Sequence, residues 1–424
     1  MRPAHSPKRY VKVLWRLVEI LFRRHGEFIV VLDHDNLGAF NIDCDNILLR
    51  AVKDESHSHN PPKSLVIFPR EVANEECRAQ FLAAMSGHSS LVVLDSRVDE
   101  SAYILERVVR KINRTTRRFP WIGPTITYRP DSDGYELEPD FVDGRPWVVF
   151  DQEQVDAAWL DLVGLGLTQG EKYVCFNVRD EGYSLSRDLG KQGQKRHDHS
   201  VQNYRNPPIE NYVPAVEYLL SRDFTVLHMG ASVEKRFPVT HPRFIHYAGS
   251  SFRSDFLDVF LYANCRFAFQ GSASGIDTLA SMFNKPLCLT DGVPLAHLLS
   301  APSSTSLRLL TPVLLAFEDS CRILRLSEMA GSSFSSSRDY SAHGLRLIYN
   351  DPSDIVECLH EMIVIVEDGD GSRPEFDELQ RVFWEDLIQA WIGCKGSRPL
   401  KADAVGRHIF MSKAFIARHS KVLH

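Results

Sequence analysis

The chain has no C-x-x-C pair, no apolar run of membrane-spanning length and no strong surplus of either charge. Each absence narrows the field. Its eight cysteines, Cys44, Cys77, Cys175, Cys265, Cys288, Cys321, Cys358 and Cys394, lie far apart. That is the pattern of reduced, mostly buried thiols in a cytoplasmic protein, not of a disulfide frame or a zinc site. A bilayer span needs roughly 18 or more consecutive apolar residues, and no segment approaches this. A formal net charge of -6 over 424 residues argues against a protein built to coat nucleic acid, which is usually basic overall. No secretory signal is read at the N-terminus, which lacks an apolar core followed by a small-residue cleavage site. Three motifs are also missing: the terminal Gly-Lys-Ser/Thr of a phosphate-binding P-loop, the G-x-G-x-x-G of dinucleotide binding and the G-x-S-x-G of a hydrolase elbow.

What is present is an ordinary globular balance, 44% hydrophobic and 25% charged. The length exceeds the roughly 250–300 residues at which a single core stops growing, so two domains are expected. Apolar runs alternate with helical periodicity. EFIVVL (27–32) reads as a strand, DHDNLGAFN (33–41) as a loop before a further apolar segment, KSLVIFPR (63–70) as a strand, 74–85 as a helix and SLVVLD (90–95) as a strand. A helical pattern over 100–118 carries a basic stretch, RVVRKINRTTRR (107–118). It lacks interleaved aromatics, so a solvated face or attraction to anionic lipid fits as well as contact with RNA. The Pro-, Gly- and Asp-rich 127–147 reads as the domain boundary.

A second series begins with YVCFNV (173–178), followed by a polar insert, a helix over 209–221, strand patterns over 224–230 and 243–248, a helix over 254–263, RFAFQ (266–270), a helix over 275–283 and PLCLT (286–290). Such alternation implies parallel sheets with crossover helices. The expected class is α/β, with two Rossmann-like domains facing a cleft. The expected domains are 1–150, 151–350 and a C-terminal helical segment, 351–424, free to cross back to the N-terminal domain. Ser353 is read as the N-cap of that segment's first helix, and the serine-rich 331–339 as a mobile loop.

One segment joins the two themes of turn chemistry and anion chemistry. RFAFQ ends at Gln270, the loop Gly271-Ser272-Ala273-Ser274-Gly275 follows, and an amphipathic helix begins at once. Glycines admit a phosphate to the backbone, serines add donors, and the first N–H groups of a helix lack internal partners. The plain alternative is a strand-to-helix turn with Ser274 as N-cap. Three further candidates stand near predicted strand or helix ends. Arg179 and Asp180 follow YVCFNV: an arginine offers a planar fork for diphosphate, and the aspartate is a candidate base. Tyr204, Arg205 and Asn206 precede the stiff Pro207-Pro208 and read as a ligand clamp or an interdomain contact. Arg253 lies beside Ser254, the expected N-cap of the 254–263 helix, and is a lesser candidate.

These residues together resemble one family. V-R-D at 178–180, Y-R-N at 204–206, E-N-Y-x-x-A-x-x-Y-L at 210–219, Gly230, R-S-D-F-L-D at 253–258 and G-S-x-S-G at 271–275 are similar to a poorly characterised group of bacterial glycosyltransferases associated with surface-polysaccharide synthesis. The resemblance covers about residues 170–300 well and the N-terminal half faintly. More distantly, the strand-end arginine and Ser-rich helix start look like those of GT-B fucosyltransferases. The resemblance implies that Arg179, Ser272 and Ser274 hold the diphosphate of a nucleotide-sugar. The residues themselves suggest the Gly271 and Gly275 backbone beside them, Tyr204, Arg205 and Asn206 as shaping the donor pocket, and Asp180 as base. The resemblance further implies an inverting displacement, without a metal and with no cofactor beyond the nucleotide-sugar co-substrate. The acceptor would be a glycan or lipid-linked glycan at the N-terminal domain. This chain departs from the group in having Asn177 where the group often has His, and Leu37-Gly38-Ala39 where it tends to have Ile-Gly-His.

Metal readings are weaker. Asp33-His34-Asp35 and Asp43-Cys44-Asp45 have the D-x-D form but sit away from the donor loop. Asp368-Gly-Asp370-Gly lacks the later ligands of a calcium loop, and the HSH (57–59) and HDH (197–199) triplets have no completing ligand nearby. Residues 8–26 form a basic amphipathic helix pattern, suited either to packing on its own domain or to lying at the inner face of a membrane. Two other readings stay open: a catalytically silent nucleotide-sugar-binding scaffold of a polysaccharide assembly complex, and a nucleotide-sugar epimerase of the same build.

Overall fold

The computed structural model describes residues 26–32, 37–59, 61, 63–107, 148–182, 199–231, 236–295, 306–330, 332, 334, 336–367, 376–392 and 408–423. The 8–25 stretch, Asp33-His34-Asp35, the basic 108–118 run, the 127–147 boundary segment, most of the polar insert (183–198) and Asp368 to Asp370 lie outside the described residues. The chain divides into two compact units, Met1–Val149 and Phe150–His424.

In the first unit β1 (Gly26–Val31), β2 (Lys63–Phe68) and β3 (Leu91–Asp95) form a parallel sheet in that order. α1 (Leu37–His57) and α2 (Glu75–Ser86) connect them. The reading of 33–41 as a loop is corrected by α1, which begins at Leu37. Its buried residues Phe40, Cys44, Ile47, Leu48 and Ala51 fall at helical spacing, which explains the correction. Phe40 meets Phe68 and Phe81 edge-on, both at 6.1 Å between ring centroids. Asn74 caps α2 by accepting the Cys77 N–H at 2.8 Å, and Arg78 pairs with Asp95 at the end of β3.

The second unit carries β4 (Tyr173–Val178), β5 (Thr225–His228), β6 (Phe244–Ile245), β7 (Phe267–Gly271), β8 (Leu287–Gly292) and β9 (Arg308–Pro312), then β10 (Leu314–Phe317), β11 (Leu345–Ile348) and β12 (Ile409–Met411). Seven of them form one parallel sheet in the order β12-β9-β8-β7-β4-β5-β6. The chain starts at β4, moves outward through β5 and β6, returns to β7 and moves outward the other way. Strand order therefore reverses between β4 and β7, as in doubly wound nucleotide-binding sheets.

β4 is buried along its whole length, which a parallel strand covered on both faces requires. Its residues alternate. Val174, Phe176 and Val178 join Phe267 and Phe269 of β7, Val216 and Leu219 of α4 (Val213–Ser221), and Leu359 and Met362 of α9 (Pro352–Glu367) in one core. Tyr173 points the other way and donates from its OH to Leu261 O of α5 (Asp255–Asn264) at 2.9 Å. Ser254 caps α5 as expected, accepting the Leu257 N–H at 3.1 Å.

Further helices are α3 (Gln152–Leu165), α6 (Asp277–Met282), α7 (Leu326–Ala330), α8 (Ser337–Ala342), α10 (Glu378–Ile392) and α11 (Lys413–Leu423). Three local readings change. Asp351, not Ser353, caps α9: its Oδ1 accepts the N–H groups of Ser353 and Asp354 at 2.8 and 3.0 Å. Residues 337–339 of the serine-rich stretch belong to α8, where Ser336 Oγ accepts the Asp339 N–H at 3.2 Å. The C-terminal segment also contributes a strand, since β12 pairs with β9 at the sheet edge.

Candidate functional site

The backbone at the carboxyl ends of the central strands is locked by the ladder. Val178 stands opposite Gly271 in register, the Arg179 N–H donates to Gly271 O at 3.2 Å, and the Ser272 N–H donates to Thr290 O at 2.8 Å. Arg179 and the 271–275 loop thus leave neighbouring strands on either side of the reversal point. Gly271 is required there by packing. A Cβ added to it would lie 2.6 Å from Tyr212 Cζ, and the wholly buried Tyr212 is held by bonds to Asp291 Oδ2 at 2.7 Å and Thr290 Oγ1 at 3.1 Å. Ser272 then takes a left-handed backbone, φ 67, which is uncommon outside glycine and turns the chain sharply.

The second wall is the turn His199–Arg205, followed by Asn206 and the two prolines. Arg179 donates from Nε to Asn206 Oδ1 at 3.0 Å. Arg205 donates from Nη2 to Gln202 Oε1 at 2.6 Å and from Nη1 to Ala273 O at 3.4 Å, so it bridges the turn and the loop. Tyr204 is buried against Tyr340, ring centroids 5.2 Å apart, and its backbone is held at both ends: its N–H donates to Ser337 Oγ at 3.1 Å and its carbonyl accepts the Tyr349 OH at 3.1 Å. Tyr204 therefore fixes the turn that carries the two polar residues after it. Burial lowers the Arg179 pKa to about 10, and the like charge of Arg205 adds to that. Two guanidiniums that repel one another, one of them largely desolvated, are a pair whose repulsion an anion would relieve.

The loop is served from inside by Asp277, the first residue of α6. Its Oδ2 accepts the Ser274 N–H at 2.7 Å, while the Ile276 N–H reaches Ser274 Oγ at 3.4 Å. Ser274 is thus held in a reciprocal turn with Asp277 and is not a plain N-cap; α6 is preceded by Ile276 with no side-chain cap. Gly275 accepts through its carbonyl from Thr278 Oγ1 at 2.7 Å. Burial pushes the Asp277 carboxyl up to about 7, against the pull of the Ser274 N–H, Arg308, Arg205 and Arg179. Among the described residues, three polar atoms in this corner have no hydrogen-bond partner: Arg205 Nε, Ser272 Oγ and Asp277 Oδ1.

Arg253 stands apart from the group, whereas Asp180 is among the charges that act on Arg179. Arg253 donates from Nε to Gly230 O at 3.2 Å and pairs with Asp258 at 2.9 Å, so its bonds serve the start of α5 and the end of β5. Asp180 Oδ1 accepts the Gly182 N–H at 2.9 Å and closes a local turn. Asn177 Nδ2 donates to Met229 O at 2.9 Å, tying the ends of β4 and β5.

Asp277 was not among the residues singled out in the sequence, although the Ser274-x-x-Asp277 spacing is that of a capping box. Equally unflagged is Asp291, a left-handed residue (φ 52) at the end of β8. It accepts from Tyr212 and, through Oδ1, from Asn350 N–H at 2.6 Å and Nδ2 at 2.7 Å. Among the described residues, no group of three or more His, Cys, Asp or Glu side chains is arranged to hold a metal ion, and no helix is long and apolar enough to cross a membrane.

No family model and no curated protein matches the chain. Three solved structures show a weak likeness to it. A glycosyl transferase family 9 protein from Veillonella parvula DSM 2008 is 14% identical over 67% of this chain and 86% of that one, with a TM-score of 0.36. The dodecameric iron-containing heptosyltransferase TibC, solved in complex with ADP-D-beta-D-heptose, is 13% identical over 64% of this chain and 59% of its own, with a TM-score of 0.31. The E. coli ADP-heptose lps heptosyltransferase II is 12% identical over 62% and 84% respectively, with a TM-score of 0.32. Identities of 12–14% carry neither a ligand nor a residue role from those proteins to this chain.

Proposed function

We propose that this chain is a glycosyltransferase that takes its sugar from a nucleotide-activated donor. The observation that carries the reading is the meeting of Arg179 and Arg205 with the 271–275 loop at the reversal point of the parallel sheet. Sheets of this kind bind nucleotides outside the carboxyl ends of their strands at that point. The donor's diphosphate would lie against the two guanidiniums and Ser272 Oγ. When the sugar C1–oxygen bond breaks, the electron pair leaves with the diphosphate, and fixed positive charge stabilises it without reorganisation. An acceptor hydroxyl forms the new C1–O bond and gives its proton to a base, for which Asp180 is the candidate. Two arginines suit a transfer that needs no metal and no cofactor beyond the donor. The sequence resemblance adds that the acceptor is a surface or lipid-linked glycan, bound by the first unit. Cysteine usage and the basic amphipathic pattern of residues 8–26 add a cytoplasmic location with that stretch as a peripheral membrane contact.

A second reading, a silent donor-binding scaffold, is favoured by one observation: Asp180 already closes its own turn with Gly182. Thermal shift with UDP-, GDP- and ADP-sugars, followed by an assay for nucleotide release with and without acceptor extract, separates the two. Release that depends on acceptor supports transfer, and binding without release supports the scaffold. If no donor stabilises the protein, or if Arg179→Ala binds donor like the parent, the site assignment fails.

A further inference from the structure

The proposed diphosphate site contains a carboxyl group that the reading above does not use. Asp277 is buried, its Oδ2 is taken by the Ser274 N–H, and its Oδ1 has no partner. The charged and titratable groups facing it come from four elements. Arg179 comes from the end of β4, Arg205 from the 199–205 turn and Arg308 from β9, the last also donating to Ser281 Oγ at 2.6 Å. Tyr262 comes from α5 and is engaged by Gln270 Nε2 at 2.7 Å. A diphosphate resting on Arg179 and Arg205 would draw off two of the three cations that balance Asp277. A buried carboxylate and a phosphate beside the same two guanidiniums repel one another at short range in a poorly solvated place. One of the two must lose its charge, and the phosphates of a nucleotide-sugar stay ionised.

We propose that Asp277 enters the donor complex as the neutral acid, taking one proton from solvent onto Oδ1 and turning that O–H toward the diphosphate. Oδ2 keeps the Ser274 N–H, so the loop holds its shape while the third unpartnered atom of the corner becomes a donor beside Arg205 Nε and Ser272 Oγ. No bond of the donor breaks in this step. The proposal rests on the diphosphate reading and deepens it, because it makes Asp277 a ligand-facing residue. In the free protein burial already pushes this carboxyl up to about 7, so the proton is available near neutral pH.

The test is calorimetric titration of the full chain with ADP-glucose, GDP-mannose and UDP-glucose, in buffers of different ionisation enthalpy, near pH 6 and pH 8. The donor that binds is expected to bring in close to one proton near pH 8 and few near pH 6, with affinity falling roughly tenfold per pH unit above about 7. Asp277→Asn retains an oxygen for the Ser274 N–H and supplies an amide donor. It should bind with no linked proton, independently of pH, and more tightly than the parent near pH 8. A donor that binds the parent without proton uptake overturns the role of Asp277 and leaves the diphosphate site standing. If none of the three donors binds, the diphosphate reading falls and this role falls with it. Proton uptake is read on the unaltered chain, so the outcome does not depend on how the variant folds.

Discussion

Arg179 donates from Nε to Oδ1 of Asn206 at 3.0 Å, and among the described residues neither of its Nη groups donates a hydrogen bond. One bond thus aims the fork while leaving its two-pronged end for a ligand. Arg179→Ala is expected to weaken donor binding about tenfold to a hundredfold, the range for a lost charge-assisted hydrogen bond. The same change removes a largely desolvated charge set against Arg205 but also one of the cations beside Asp277, so the midpoint of thermal unfolding should change little. Asn206→Ala should weaken binding less, because the charge remains and only its aim is lost. Calorimetry beside thermal unfolding checks the pair, and a variant that loses stability and binding together would mark Arg179 as merely structural.

Gly271 separates two explanations of a glycine in an anion loop. If its lack of a side chain serves the backbone's packing, Gly271→Ala should destabilise the fold, because Tyr212 Cζ lies 2.6 Å from the added carbon and cannot retreat from Asp291. Overpacking of this kind costs roughly 1–3 kcal/mol. Tyr212→Leu should be less harmful in the alanine background than in the parent, a coupling measurable by denaturant unfolding of the four proteins. Full stability of Gly271→Ala with loss of donor binding would show instead that the ligand needs the space.

Much of this architecture can be read from residue order, and the exceptions have physical causes. β4 and α5 announce themselves because a buried parallel strand is a continuous apolar run and Ser254 is a capping residue at the right offset. β12 does not: three residues, Ile409–Met411, carry no period, and their partner Arg308–Leu310 belongs to a distant part of the chain. The site divides the same way. Arg179 follows from strand-end logic and Arg205 from its stiff loop, whereas Asp277 draws its character from burial and from arginines on three separate elements. Arg253 reads as ligand-facing in sequence, yet Gly230 and Asp258 claim its donors.

Asp291 tests how much of the reversal point depends on one buried carboxyl. Burial raises its pKa, while Asn350 and Tyr212 pull the other way. Asp291→Asn tolerates the left-handed backbone and can keep its oxygen toward Asn350, turning its amide to Tyr212, whose OH then donates to Thr290 Oγ1. Asp291→Ala strands the Asn350 backbone N–H in the core, while Tyr212 OH and Asn350 Nδ2 fall back on Thr290 Oγ1 and Pro312 O. It should cost about 1–3 kcal/mol more, the range for one abandoned buried group. Denaturant midpoints of the two variants give the order, and equal losses would remove Asp291 from the framework.

His228 should contribute to the acid sensitivity of the second unit. Its ring is buried among Phe176, Phe237 and Phe244 with centroids 5.7, 5.7 and 6.2 Å away, beside His246 at 5.7 Å, and among the described residues neither ring nitrogen has a partner. Burial lowers its pKa from 6.5 to about 4, and the charge of His246 adds to this. The folded chain therefore holds the imidazole neutral while the unfolded chain binds a proton below 6.5. Its contribution to stability is complete above about pH 6.5 and is lost as pH falls toward about 4, on the order of 3 kcal/mol in all. His228→Leu removes the titrating group and two unpartnered nitrogens. It should gain about 1 kcal/mol near neutral pH and flatten the acid limb relative to the parent in urea unfolding across that interval. Parallel acid limbs in parent and variant would mean that His228 protonates freely in the folded chain, contrary to its burial.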